Sequence, residues 1–143
     1  MTWPTRLPLV AILRGIRPDE AVAHARALVE AGFDAIEVPL NSPDWSTSVR
    51  RVVDACGGTA LIGGGTVLSA DEVDALVDAG ARLVVMPHTR PPLIGHAVRR
   101  GLYVVAGFAT ASEAFDALDA GAQALKLFPH LCGRCGRDIE CRY

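Results

Sequence analysis

The sequence predicts an α/β fold of the (β/α)8 TIM-barrel type, incomplete, with about six βα units present. Three observations carry that prediction. Short apolar runs alternate with stretches that open and close like helices. A junction recurs in which glycine ends a helix and a strand follows at once: Ala31-Gly32-Phe33-Asp34-Ala35-Ile36-Glu37, then Ala79-Gly80-Ala81-Arg82-Leu83-Val84-Val85, then Ala120-Gly121-Ala122-Gln123-Ala124-Leu125-Lys126, with Arg100-Gly101-Leu102-Tyr103-Val104 a weaker copy. Polar residues stand at strand interiors or C-terminal ends, namely Arg14, Glu37, Thr66 and Lys126, where barrel enzymes place their chemistry. An open doubly wound sheet is the competing architecture. The missing G-x-G-x-x-G after the first strand weighs against it.

The elements follow in order. Leu9-Val10-Ala11-Ile12-Leu13 reads as the first strand, ending at Arg14-Gly15. Pro18 with Asp19 and Glu20 suits the first turn of a helix that Gly32 stops. Ala35 to Leu40 is the second strand, and Asn41-Ser42-Pro43-Asp44 starts a helix running towards Cys56-Gly57-Gly58. Ala60 to Val67 is a third strand with a glycine-rich end. Ser69-Ala70-Asp71-Glu72 fits a capping box. Leu83 to Pro87, a helix from about Pro91 to Arg100, and Tyr103 to Gly107 come next. Thr110-Ala111-Ser112-Glu113 caps the fifth helix, and Lys126 lies on the sixth strand.

At 143 residues, half of them hydrophobic, the chain is long enough for one domain with a real core. A formal net charge of -2 offers no basic footprint for nucleic acid. No apolar run approaches a membrane span, and Met1 to Arg6 do not form a secretory leader, so a cytoplasmic protein is expected. Of the four cysteines, Cys132, Cys135 and Cys141 crowd the C-terminal end and only Cys56 lies elsewhere, which is no disulfide framework. His88 and His96 flank Pro91-Pro92 and read as surface residues.

Strand alternation groups the candidate site. Ile36, Val38 and Leu40 share one face of their strand, and Glu37 takes the other. Leu125 and Leu127 would face the helices, which turns Lys126 into the lumen, and Arg14 shares a face with Val10 and Ile12. A buried carboxylate and a buried lysine can serve as base and nucleophile with shifted pKa values; as a mere ion pair they would add little stability. Gly63-Gly64-Gly65-Thr66 could leave backbone N–H groups open to a carboxylate or phosphate, or could simply form a tight turn. Arg14 could fork onto an anionic substrate or cap a carbonyl.

Four runs resemble the KDPG/KDPGal aldolase family: Leu9 to Gly15, Gly32 to Pro43, Leu61 to Val67 and Ala120 to Pro129. The resemblance implies a class I aldolase that needs no metal or other cofactor, on a (β/α)8 barrel, assembled as a homo-oligomer and usually a trimer. It assigns Lys126 as the Schiff-base lysine and Glu37 as the proton shuttle, with Arg14 and Thr66 holding substrate. Gly64, Gly65 and Asn41 complete the expected substrate site, and Asn41-Ser42-Pro43 favours the galactonate-type branch. The implied reaction cleaves 2-dehydro-3-deoxy-6-phosphogalactonate, a phosphorylated keto acid, to pyruvate and D-glyceraldehyde 3-phosphate.

Residues 1–129 are therefore expected to form a partial barrel, and residues 130–143 a cysteine-rich tail outside the family pattern. Six strands would leave two sheet edges open, so low activity and irregular association are expected of the 143-residue chain. The second reading is a catalytically silent fragment whose tail binds metal or a partner. His130, Cys132, Cys135 and Cys141 are possible zinc ligands at a poor spacing, and no metal site is expected.

Overall fold

Glycine sets the point at which the chain leaves its helices. A computed structural model of the protein describes residues 3–129. In it Gly32 adopts φ +97, a left-handed conformation that costs glycine nothing. Its amide donates to Val29 O at 2.9 Å and the Phe33 amide donates to Leu28 O at 2.9 Å, which satisfies two carbonyls of the last helical turn. The same closure recurs at Gly80, Gly101 and Gly121, so each repeated junction turns the chain directly from helix into strand.

Among the described residues five helices and six strands alternate: β1 (Ala11–Ile12), α1 (Pro18–Glu30), β2 (Ala35–Pro39), α2 (Trp45–Cys56), β3 (Leu61–Gly65), α3 (Ala70–Asp78), β4 (Leu83–Val85), α4 (Pro91–Arg99), β5 (Tyr103–Phe108), α5 (Ala111–Asp119) and β6 (Ala124–Leu127). Both expected capping boxes are present. Ser69 and Thr110 accept from the amides of Glu72 and Glu113, and each glutamate reaches back to its cap residue.

The strands form one parallel sheet in chain order, β1-β2-β3-β4-β5-β6. That order fits successive βα units wound one way, and a doubly wound sheet would reverse direction from its middle. The sheet is curled. Ile12, Glu37, Val85, Val105 and Lys126, from five different strands, line one cavity of about 300 Å³. In a flat sheet β1 and β6 would stand roughly 24 Å apart, too far to share a space of that size.

The two faces carry different cores. Ile36, Val38, Ile62, Val84, Val104 and Ala106 pack with the helices in the larger core. On the concave face Leu83, Val85 and Val105 form a small cluster with Trp3, Val10, Leu61, Tyr103 and Ala124 around it. Trp3 stands edge-on to Tyr103 with ring centroids 5.7 Å apart, and its indole donates to Leu7 O at 2.8 Å. Asp34 holds the same N-terminal segment by accepting from the Arg6 amide at 2.7 Å.

Three expectations need correction. The first strand has only two residues because the Leu9 amide turns back to Leu7 O, which draws Pro8 and Leu9 out of the ladder. The second helix begins at Trp45, after Asp44 in a left-handed conformation, so Asn41 and Ser42 belong to the loop before it. His88 and His96 are half-buried: His96 Nε2 lies 2.9 Å from Asp74 Oδ1, which also accepts from Arg100, and His88 Nδ1 is buried with no partner among the described residues.

No helix among the described residues is long and apolar enough to cross a membrane. The expectations about His130, Cys132, Cys135 and Cys141 fall outside the described residues.

Candidate active site

Strand parity puts the site on the concave face. Glu37 sits in the middle of β2, between Ile36 and Val38, which face the helices. The residue is 3 % exposed and lines the cavity, and its Oε2 has no hydrogen-bond partner among the described residues. Burial pushes its pKa up to about 7, against the opposing pull of the Lys126 and Arg14 charges. Lys126 enters the same cavity from β6. Its Nζ lies 4.9 Å from the centre of the Phe128 ring, whose face attracts a cation.

Glycine makes room for the carboxylate. β3 runs beside β2 with Gly65 opposite Pro39, and a Cβ on Gly65 would stand 2.5 Å from Glu37 Oε2. Gly63 shares that face, but a Cβ there would strike the Leu83 carbonyl on β4. Gly64 points the other way, where a Cβ would meet Leu76 and Leu40 at 2.6 and 2.7 Å.

A side chain at Gly64 would therefore enter the helix layer. Gly63 to Gly65 are also in register with both β2 and β4, so the amides expected to be open are within the sheet. The run ends at Thr66, half-buried at φ +60, a conformation rarely taken by a β-branched residue.

Two expected residues are bonded to each other and do not line the cavity. Arg14, at the end of the first strand region, donates from Nη1 to Asn41 Oδ1 at 3.1 Å, and both side chains are exposed. Asn41 is thus engaged with Arg14. The structure therefore brings Glu37 and Lys126 together around one cavity, with Gly65 against the Glu37 carboxylate and Arg14 close enough for its charge to act on Glu37.

These two glycine positions separate packing from site geometry. Gly63→Ala should destabilise the fold by about 1–3 kcal/mol or more, because the obstacle is backbone. Gly65→Ala should keep more of its stability while displacing the Glu37 carboxylate. Urea denaturation of both variants, with a carboxyl NMR titration of Glu37 in the second, checks the contrast. Equal losses of stability would contradict it.

The comparisons with known proteins agree with the fold. The family model described as KDPG and KHG aldolase matches residues 3–135. The chain belongs to the KDPG and KHG aldolase family. It is 58 % identical over 129 residues to 2-dehydro-3-deoxy-6-phosphogalactonate aldolase of Escherichia coli K12, which covers 90 % of this chain and 63 % of that protein. A solved structure described as native KDPGal superposes with a TM-score of 0.89 at 58 % identity, over 91 % of this chain and 63 % of the other.

A KDPG aldolase of Legionella pneumophila, solved with pyruvate captured as a covalent carbinolamine intermediate, gives a TM-score of 0.77 at 26 % identity. It covers 85 % of this chain and 59 % of that one. This member of the KDPG and KHG aldolase family thus spans just under two thirds of the length of its relatives.

Sequence reasoning missed several residues around the site. Trp3 lines the cavity from the N-terminal segment, and Phe128 carries the lysine head group. The isolated aromatic at position 3 and the i, i+2 parity of Phe128 with Lys126 were the available signals. Ser42, 5 % exposed, accepts from the Gly15 amide at 2.9 Å. Nothing local to Ser42 announces that contact, since its partner lies 27 residues away.

Proposed function

We propose that this chain carries the imine-forming part of a class I aldolase site, acting on 2-dehydro-3-deoxy-6-phosphogalactonate to give pyruvate and D-glyceraldehyde 3-phosphate. One observation carries the reading: a lysine amine and a carboxyl group with a pKa near neutrality share a small, mostly apolar cavity. The relatives named as galactonate-type aldolases support the choice of substrate.

The unprotonated amine of Lys126 adds to the C2 ketone, and loss of water gives a protonated imine. The C3–C4 bonding pair then flows into that cation while the C4 hydroxyl gives up its proton. The aldehyde departs and an enamine of pyruvate remains. Protonation at C3 and hydrolysis release pyruvate and restore the amine. Glu37 is the group proposed to take and return these protons, because its raised pKa suits it to both roles near pH 7.

Thr66, next to Gly65 in the chain, is proposed to bind the carboxylate, and Arg14 to attract the anionic substrate. Gly64 supports them by packing. The six strands are read as the first six of a (β/α)8 barrel, supported by their sequential order and curl. The whole enzyme is proposed to act as a cytoplasmic homo-oligomer, with a trimer as the form implied by the family resemblance.

Lys126 is the only lysine in the sequence, which makes the test direct. Borohydride added with pyruvate should attach one reduced pyruvyl group, found by mass spectrometry on the peptide containing Lys126. No adduct, or one confined to the N-terminal amine, would refute the proposal.

A further inference from the structure

The loop after β2 and the turn after β1 are tied together at two points. The Ser42 hydroxyl, 5 % exposed, accepts from the Gly15 amide at 2.9 Å. The neighbouring Asn41 accepts from Arg14 Nη1 at 3.1 Å. Ser42 is itself fixed, since its amide donates to Pro39 O at 2.9 Å and that proline ends β2. Gly15 adopts φ +76, so the backbone turns sharply at the residue after Arg14. The chain leaves β1 only two residues before Arg14, and no helix begins until Pro18.

We propose that Ser42 is a positioning residue for Arg14: its buried hydroxyl anchors the Arg14-Gly15 turn to the end of β2, and Asn41 then holds the guanidinium within range of Glu37. The proposal rests on the reading of this cavity as the aldolase site. An arginine on an unanchored turn would spend its time in many rotamers. A guanidinium held from its backbone and from one Nη remains in place with its other donors free for an anion. Ser42 touches no substrate in this account and acts only through Arg14.

The test reads the charge of Arg14 at Glu37, which needs no turnover. Arg14 and Lys126 are the cations that act on Glu37, and both lower its pKa. The Glu37 midpoint is followed by carboxyl NMR titration in the ligand-free 143-residue protein. Arg14→Ala should move it upward. Ser42→Ala should reproduce most of that shift, and the double variant should move no further than Arg14→Ala alone. Ser42→Thr, which keeps the hydroxyl, should restore the original midpoint.

Asn41→Ala removes the second tether at an exposed position, and should give a smaller upward shift even if Ser42→Ala fails to fold. A midpoint unmoved by Ser42→Ala, by Asn41→Ala or by Arg14→Ala would overturn the proposal, as would shifts that simply add in the double variant. Borohydride trapping with pyruvate, run alongside, identifies which idea has failed. A wild-type chain that traps while its midpoint is insensitive to Ser42 loses only the positioning role. A chain whose midpoints shift as expected but that never traps loses the aldolase reading, and with it the purpose assigned to the anchored arginine.

Discussion

Lys126→Met should leave a folded protein that forms no adduct with pyruvate and borohydride. Methionine matches the length of the lysine stem and keeps its apolar contacts, so packing beside Phe128 is largely preserved. The amine proposed to react is gone, and no other lysine can replace it. The cavity also loses the larger of the two cationic influences on Glu37, so its titration should move upward. Mass spectrometry of the trapped variant is decisive, because an adduct that persists must reside elsewhere and would detach Lys126 from the chemistry.

Glu37→Gln should slow exchange of the pyruvate methyl protons by about 10²–10⁴-fold, the usual contribution of a positioned acid–base group. Imine formation should survive better than exchange, so trapping and exchange should separate in this variant. Deuterium uptake into pyruvate, followed by NMR, measures the loss. An unchanged rate would leave Glu37 with only an electrostatic role beside Lys126.

The same substitution should change stability in a pH-dependent direction. Glu37 titrates near 4.5 when free and near 7 in the folded chain, so the native state holds its proton longer. Stability then falls as pH rises from the unfolded value through the folded one, by on the order of 3 kcal/mol once ionisation is complete. Glutamine carries no such charge. Denaturation midpoints of wild type and variant should differ most above pH 7, in favour of the variant, with the gap narrowing towards pH 5.

Much of this was legible because local rules and the fold agree. The repeated glycine junctions could be read as helix ends since a left-handed residue after a helix is nearly always glycine, and all four glycines, Gly32, Gly80, Gly101 and Gly121, take that conformation. The two capping boxes were legible for the same reason. Glu37 and Lys126 stood out as charges within apolar strands, and alternation alone assigned their faces.

Contacts between distant loops were not legible. Arg14 with Asn41 and Gly15 with Ser42 each join residues 27 apart, and their geometry exists only after β1 and β2 pair. The glycine run could not be sorted from sequence either. Three identical residues carry no pattern, and only the neighbours Leu76, Leu83 and Glu37 show which of them faces the cavity.

The division of each strand between two cores separates the chain's tolerances by parity. Positions facing the helices meet a dense apolar layer and answer to volume, whereas the residues between them face a sparsely filled hollow and answer to charge and reach. Adjacent codons on β2 are therefore under unrelated demands. A lineage could retune the carboxyl group at Glu37 without disturbing the layer that holds the strand, and could repack that layer without altering the cavity. Catalytic drift and structural drift can proceed side by side along the same five residues.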